Sequence, residues 1–369
     1  MPSLEQAGAI LEIDLGALAA NYRLLRARLQ GAECAAVVKA GGYGLGAERT
    51  APALAAAGCG HFFVAHLAEG IELRRVLPQA AIYVLHGPPP ETEAEFRAHH
   101  LIPVLNTPDQ IEAWAIHGRT AGGLPALLQI DTGMSRLGLS PAEVEALAAA
   151  PERLQGIDLR YLVSHLACAE EADNLMNARQ RHAFVAARGK LPPAPASLAN
   201  SSAIFLGPEY HFDLARPGVA LYGVNPTPDA ANPMAEVVRL KGKITQLREI
   251  DTPQTVGYGA TYRAPGRRCI ATVPVGYADG FPRALSGRGR GSIAGVSVPI
   301  VGRVSMDLIT LDVTEAPDGA ARVGALVDLI GGGVPIDEVA ASAGTIGYEI
   351  LTNLGGRYHR RYLGGGDLP

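Results

Sequence analysis

Short apolar runs punctuate the first part of the chain, at residues 35–38, 62–65, 82–85, 102–105, 127–130, 161–163, 196–198 and 212–214. Between them lie stretches rich in Ala, Leu, Glu and Arg with helical spacing, such as 15–29 and 141–150, the latter with Ser140 as a candidate N-cap and Pro141 at the first helical position. Apolar runs alternating with helices, without hairpin signals, predict a parallel sheet. Eight such units in this length predict a (β/α)8 barrel, with an open doubly wound sheet as the alternative.

The texture changes after Asn225. Pro226, Pro228 and Pro233 read as a linker, and β-rich segments follow at 237–250, 269–275, 292–299 and 304–313, with one short helix at 336–343. The expected organisation is a barrel over residues 1–230 and a mostly β domain over 231–369. A chain of 369 residues suits two domains better than one core. Its net charge of -4 argues against a nucleic-acid partner, and Arg357, Arg360 and Arg361, the densest basic cluster, read as a solvated face. The spacing of Cys34, Cys59, Cys168 and Cys269 fits no metal site and suggests free thiols. The first ten residues do not resemble a signal peptide, and no apolar run is long enough to span a bilayer, so a cytoplasmic protein is expected, with no membrane partner.

In a parallel barrel, chemistry collects at the C-terminal ends of the strands. The polar residues following the apolar runs are Lys39 and Tyr43; His86; Gln129, Asp131 and Arg136; His165; Asn200, Ser201 and Ser202; and Arg216 with Gly218. Phosphate sites favour the last two strand ends, where Ser201 and the backbone at Gly218 and Val219 lie. A phosphate-bearing cofactor beside a strand-end lysine suggests pyridoxal phosphate. Taken singly, each residue has a plainer reading: a surface lysine, a core histidine, an ion-paired arginine, a helix-capping serine. Gly42-Tyr43-Gly44-Leu45-Gly46 lacks the spacing of a dinucleotide loop.

The motifs resemble those of alanine racemases, fold-type III pyridoxal-phosphate enzymes. The resemblance rests on Ala36-Val37-Val38-Lys39-Ala40 with Gly42-Tyr43-Gly44, Asp131-Thr132-Gly133-Met134-Ser135-Arg136-Leu137-Gly138, Ser164-His165-Leu166, Asn200-Ser201-Ser202 and Arg216-Pro217-Gly218. It continues through Gly257-Tyr258-Gly259-Ala260-Thr261-Tyr262, Pro274-Val275-Gly276-Tyr277-Ala278-Asp279-Gly280, Gly302-Arg303-Val304-Ser305-Met306-Asp307 and Tyr348-Glu349-Ile350. These motifs keep their order over nearly the whole chain.

The resemblance implies interconversion of L- and D-alanine by two bases, supplying D-alanine for peptidoglycan. Lys39 would hold the cofactor and serve one face of the substrate. Tyr258, from the second subunit of a homodimer with shared sites, would serve the other. Tyr43, Ser201, Tyr348 and the amides of Gly218 and Val219 would hold the phosphate. Arg216 would meet the pyridine nitrogen and, with His165, support the tyrosine. Arg136 and the Met306 amide would bind the substrate carboxylate, while Tyr277 and Asp307 would shape or support the entrance. One departure stands out. Many relatives carry a carbamylated lysine at position 129, whereas Gln129 cannot form that group, so a chloride or a neutral hydrogen bond is expected to orient Arg136. No metal is implied. The competing functions are a serine or broader racemase, a non-catalytic pyridoxal-phosphate carrier and a barrel decarboxylase.

Overall fold

The computed structural model describes residues 3–364; the outermost positions of both expected domains, 1–2 and 365–369, lie outside the described residues. Seven strands form a parallel sheet: Ala36–Val37, His61–Val64, Ala81–Val84, Ile102–Leu105, Leu124–Gln129, Ile157–Val163 and Ala196–Ser197. An eighth, Leu214–Ala215, pairs in parallel with Glu33–Cys34, which continues into Ala36–Val37. On its other side, the amide of Asp213 donates to Ala196 O (3.0 Å) and that of Arg216 to Ala199 O (2.8 Å). The ring is therefore a (β/α)8-type barrel rather than an open doubly wound sheet. Its strands read as short apolar runs because barrel strands are buried on both faces; Phe62, Phe63, Ile82, Val84, Val104, Leu127 and Leu128 are fully buried.

Six helices follow successive strands: Ala47–Ala56, Leu67–Val76, Glu93–Ala98, Pro108–Ala121, Pro141–Ala149 and Leu175–Arg188. The expected cap at Ser140 forms a full capping box, its hydroxyl accepting from the Glu143 amide at 3.3 Å while Glu143 Oε2 accepts from the Ser140 amide at 2.8 Å. The last strand leads only into a short turn, Val219–Tyr222. Helix Leu15–Arg28, which precedes the first strand, packs there instead. Buried Asn21 secures it, donating to Leu221 O (3.1 Å) and Ala235 O (3.0 Å) and accepting from the Ala235 amide (2.7 Å).

The second half is mostly β, with a six-stranded sheet in the order Val296–Pro299, Arg290–Ile293, Leu326–Ile330, Val238–Lys243, Ala9–Asp14 and His359–Leu363. The first described strand, inside the span expected for the barrel, instead lies in the sheet of the second half: Ala9–Asp14 runs antiparallel to Val238–Lys243 and parallel to His359–Leu363. A three-stranded antiparallel sheet, Gln246–Ile250, Arg268–Val273 and Ile309–Asp312, lies beside it.

Several expected strands are refined. Segment 237–250 breaks into strands of two different sheets, and 269–275 shortens to Arg268–Val273. Segment 292–299 is a hairpin whose two-residue loop, Ala294 and Gly295, has φ of 49° and 83°, the positive pair that a tight hairpin of right-twisted strands requires. Of 304–313 only Ile309–Asp312 is a strand. Helix Ile336–Ala343 forms as expected.

The basic C-terminal cluster is not simply a solvated face. Arg357 grips Asp279 with Nε (2.5 Å) and Nη2 (2.9 Å) and reaches Asp307 with Nη1 (2.8 Å). Arg360 donates to Gly44 O at 2.6 Å, and Arg361 lies 3.6 Å from Glu12. The four cysteines are free thiols. Among the described residues no helix is long and apolar enough to cross a membrane, and no cluster of His, Cys, Asp and Glu could hold a metal ion.

Candidate active site

Lys39 follows strand Ala36–Val37 and opens a turn of unusual hand. Ala40, Gly41, Gly42 and Tyr43 have φ of 53°, 61°, 67° and 54°, so four successive residues occupy left-handed space. The two glycines do so freely, whereas Ala40 and Tyr43 each cost about 1–2 kcal/mol. Three backbone bonds hold the turn: Gly42 N to Val38 O (2.8 Å), Gly44 N to Ala40 O (2.7 Å) and Gly46 N to Gly41 O (2.7 Å). From the second half, Arg360 caps the Gly44 carbonyl and Tyr362 Oη the Leu45 carbonyl (2.8 Å).

The turn buries Tyr43 between two aromatic neighbours, 4.7 Å from the Tyr222 ring and 6.2 Å from that of Tyr348. The Tyr43 hydroxyl reaches the backbone after the last barrel strand so closely that a Cβ at Gly218 would sit 2.1 Å from it. Ser201 Oγ meets the same backbone, accepting from the amides of Gly218 (2.9 Å) and Ala220 (3.3 Å). Val219 begins the short helical turn there. Two hydroxyls, a glycine and the start of a helical turn make a suitable phosphate cradle, since such N–H groups lack intrahelical partners and favour anions. These residues fit the pyridoxal phosphate expected from the sequence. Gly218→Ala is expected to weaken cofactor binding by about 10–100-fold, the worth of a disrupted charge-assisted hydrogen bond or two. Fluorescence titration of the apoprotein, with Ser201→Ala for comparison, measures this.

Burial pushes the Lys39 ammonium below its ordinary range, and the Arg136 cation adds to this, while Glu69 opposes it. The amine is thus made easier to deprotonate, as covalent attachment to a carbonyl requires. Arg136 lies in the loop after Leu124–Gln129, shaped by Asp131 Oδ1, which accepts from the amides of Gly133 (2.9 Å), Met134 (3.0 Å) and Ser135 (3.1 Å). Gln129 Nε2 donates to Leu137 O at 3.2 Å, touching the backbone next to Arg136 rather than its guanidinium.

Arg216 is buried, with Nη1 donating to Ser197 Oγ, Nη2 to Ser164 O (2.6 Å), and its guanidinium 5.9 Å from the Phe63 ring centroid. Burial lowers its pKa to about 10, so it remains a cation at neutral pH. His165 is pushed down to about 3, first by burial and then by the charges of Arg216, Arg136 and Lys39. Its imidazole is neutral at working pH. The unfolded chain therefore takes up this proton first as pH falls from 6.5 towards 3. Apoprotein stability should drop through that window by up to about 1.4 kcal/mol per pH unit. Urea midpoints for wild type and His165→Asn test this; the variant should show a shallower fall.

Gln180 and Glu69 were missed in the sequence. Fully buried Gln180 donates to His165 O (2.9 Å) and Thr132 Oγ1 (3.2 Å) and accepts from the Ala167 amide (2.8 Å), fixing the strand end that carries His165. Nothing local distinguishes it from other helical glutamines. Glu69 stands three residues after the cap of its helix, which marks a capping glutamate but not what else it holds.

The structure gathers Lys39, Tyr43, Gln129, Arg136, His165, Ser201, Arg216, Gly218, Val219 and Tyr348 around one end of the barrel. Of the second-half candidates Tyr348 joins them, packed beside Tyr43, whereas Tyr258, Tyr277 and Met306 stand exposed on the surface of the chain. Tyr258 is 73% exposed and Met306 53% exposed. Tyr277 and Met306 form one surface unit, joined by Ala278 N to Met306 O (3.0 Å) and Tyr277 N to Ser305 O (3.1 Å), with Asp307 held by Arg357.

Comparison with known proteins follows the same lines. Family models for the alanine racemase N-terminal and C-terminal domains match residues 13–226 and 237–362. The alanine racemase of Rhodospirillum rubrum is 55% identical over 363 residues, covering 98% of this chain and 97% of that protein. A catabolic alanine racemase of Mesorhizobium japonicum is 54% identical, covering 97% and 94%. The crystal structure of the Bartonella henselae alanine racemase, with covalently bound pyridoxal phosphate, superposes with a TM-score of 0.93 at 42% identity over 97% of this chain and 100% of that one.

Proposed function

The chain belongs to the alanine racemase family, a family of pyridoxal-phosphate-dependent isomerases, and we propose that it works by a two-base mechanism across a homodimer. The observation that carries this reading is the half-buried Lys39 at the start of the left-handed turn that bears Tyr43, whose hydroxyl meets the Ser201–Gly218 cradle.

The cofactor, when bound, supplies an electron sink that acidifies the substrate's α-proton. Lys39 holds it covalently, then removes or returns the proton on one face. Tyr258 of the second subunit does the same on the opposite face; its exposure leaves it available to a neighbouring chain. Racemisation needs a proton donor and acceptor on opposite faces, which one group cannot provide. Tyr43, Ser201, Tyr348 and the amides of Gly218 and Val219 hold the phosphate. Arg136 binds the substrate carboxylate, with the Met306 amide assisting from the second subunit, and Gln129 steadies the Arg136 loop through Leu137. Arg216, a cation at neutral pH bonded to Ser164 and Ser197, would meet the pyridine nitrogen and, being slow to give up a proton, would leave that nitrogen unprotonated. Tyr277 and Asp307 bound or support a small entrance.

The product is D-alanine, which we assign to peptidoglycan supply in the cytoplasm. The cofactor-loaded protein is incubated with L-alanine in D2O, and D-alanine is followed by chiral chromatography. Formation of α-deuterated D-alanine, with serine turned over more slowly, supports alanine racemisation. Faster turnover of serine would move the reading to a broader racemase, and no turnover to a cofactor carrier. Rescue of a D-alanine auxotroph tests the cellular role.

A further inference from the structure

Glu69 makes a set of contacts that helix capping alone does not call for. It lies in the first turn of helix Leu67–Val76, where a capping glutamate bonds the amide of the cap residue. Its Oε2 does so at His66 (3.0 Å) but also accepts from Ala65 at 2.7 Å. Its Oε1 crosses to the neighbouring strand end and accepts from the amide of Ala40 at 2.5 Å. Ala40 directly follows Lys39 and is the non-glycine residue that opens the left-handed turn, at φ 53°. One carboxylate thus accepts from three amides, at one strand end, at a helix start and at the strained residue beside the cofactor lysine.

We propose that Glu69 is the positioning residue of Lys39: its carboxylate holds the left-handed turn closed behind the lysine and provides the anion that offsets the Arg136 cation beside the amine. The proposal rests on Lys39 being the cofactor-bearing residue.

The charged and titratable groups acting on or with Lys39 come from four elements. Arg136, from the loop after Leu124–Gln129, disfavours the ammonium, as burial does, and Glu69 favours it. His86, after strand Ala81–Val84, and His165, after Ile157–Val163, both interact with Lys39, and both are held below the usual imidazole range, first by burial. They are therefore largely neutral at neutral pH, which leaves Glu69 to oppose Arg136. Loss of the Glu69 charge lowers the proton affinity of Lys39 and loosens the turn, and these two effects are separable.

The readout is capture of pyridoxal phosphate by apoprotein as a function of pH. The neutral amine adds to the aldehyde, water leaves and a C=N bond forms, which borohydride then reduces for peptide mapping. Because only the neutral amine attacks, a lower proton affinity moves the half-maximal pH of capture downwards. Glu69→Gln is expected to lower that midpoint by about one pH unit, the scale of one nearby charge, with Glu69→Asp closer to wild type. Release of bound cofactor should accelerate about tenfold in Glu69→Ala. Adding Ala40→Gly, which accepts a positive φ without strain, should recover part of the release rate and none of the midpoint shift. A midpoint and release rate in Glu69→Gln and Glu69→Ala equal to wild type would overturn the proposal, as would recovery of the midpoint by Ala40→Gly. Wild-type label mapping to a residue other than Lys39 would instead overturn the reading of the site on which the proposal rests.

Discussion

Lys39→Ala should reduce racemisation by about 10⁴-fold or more and leave the cofactor bound only noncovalently. The size of the effect follows from the two tasks assigned to one amine. It holds the cofactor, and it exchanges the α-proton on one face. Its setting suits both: burial and Arg136 favour the neutral amine, and the left-handed turn that follows directs the chain from Lys39 to the phosphate cradle. Folding should be little disturbed, because the turn is held by backbone bonds and by Tyr43 packing rather than by the ammonium. Chiral chromatography gives the rate, and the visible absorption of the reconstituted protein reports the lost covalent link. Partial recovery with an added small primary amine is expected, since it replaces the chemistry but not the positioning. A variant with wild-type turnover would remove Lys39 from the mechanism.

The second large effect is expected at Tyr258. Tyr258→Phe should slow alanine racemisation by about 10²–10⁴-fold, the usual worth of one general acid–base group. The loss should be uneven. With Lys39 still present, exchange of the α-proton of one enantiomer with D2O continues, while conversion to the other nearly stops. The phenol is 73% exposed on a turn whose flanking glycines, Gly257 and Gly259, both have positive φ (75° and 72°), so removal of its hydroxyl leaves no buried polar partner unpaired and costs little stability. If the two bases of one site come from different subunits, mixing Lys39→Ala with Tyr258→Phe restores activity. Half of the dimers formed by random exchange are mixed, and each has one intact site, so about a quarter of wild-type activity returns. No recovery would place both bases on one chain or exclude one of them.

The barrel was legible because its signal is local. Buried parallel strands are short and apolar, as at Phe62, Phe63, Ile82 and Val84, and the helices between them show caps such as Ser140 with Glu143. Lys39 could be noticed because a charged residue directly after a buried run is costly without a purpose. Strand Ala9–Asp14 escaped notice because its partners, Val238–Lys243 and His359–Leu363, lie more than two hundred residues away, and pairing at that separation leaves no periodic trace. The 292–299 segment looked like one run because the positive φ of Ala294 is not written in its side chain. The arginines near the C-terminus read as a solvated face in the sequence for a related reason: their partners Asp279, Asp307 and the Gly44 carbonyl come from remote segments.

By itself, the order of residues determined the elements and the chemistry available at strand ends: an amine, a cradle of small hydroxyls and glycine, two arginines and a histidine. Only the tertiary structure decided their working states. Burial beside Arg216, Arg136 and Lys39 makes His165 neutral, the approach of two strand ends lets Glu69 bond Ala40, and closure of the ring brings the Tyr43 hydroxyl to Gly218. Charge states and close contacts depend on distance and solvent exclusion, and these exist only once segments far apart in the chain have packed.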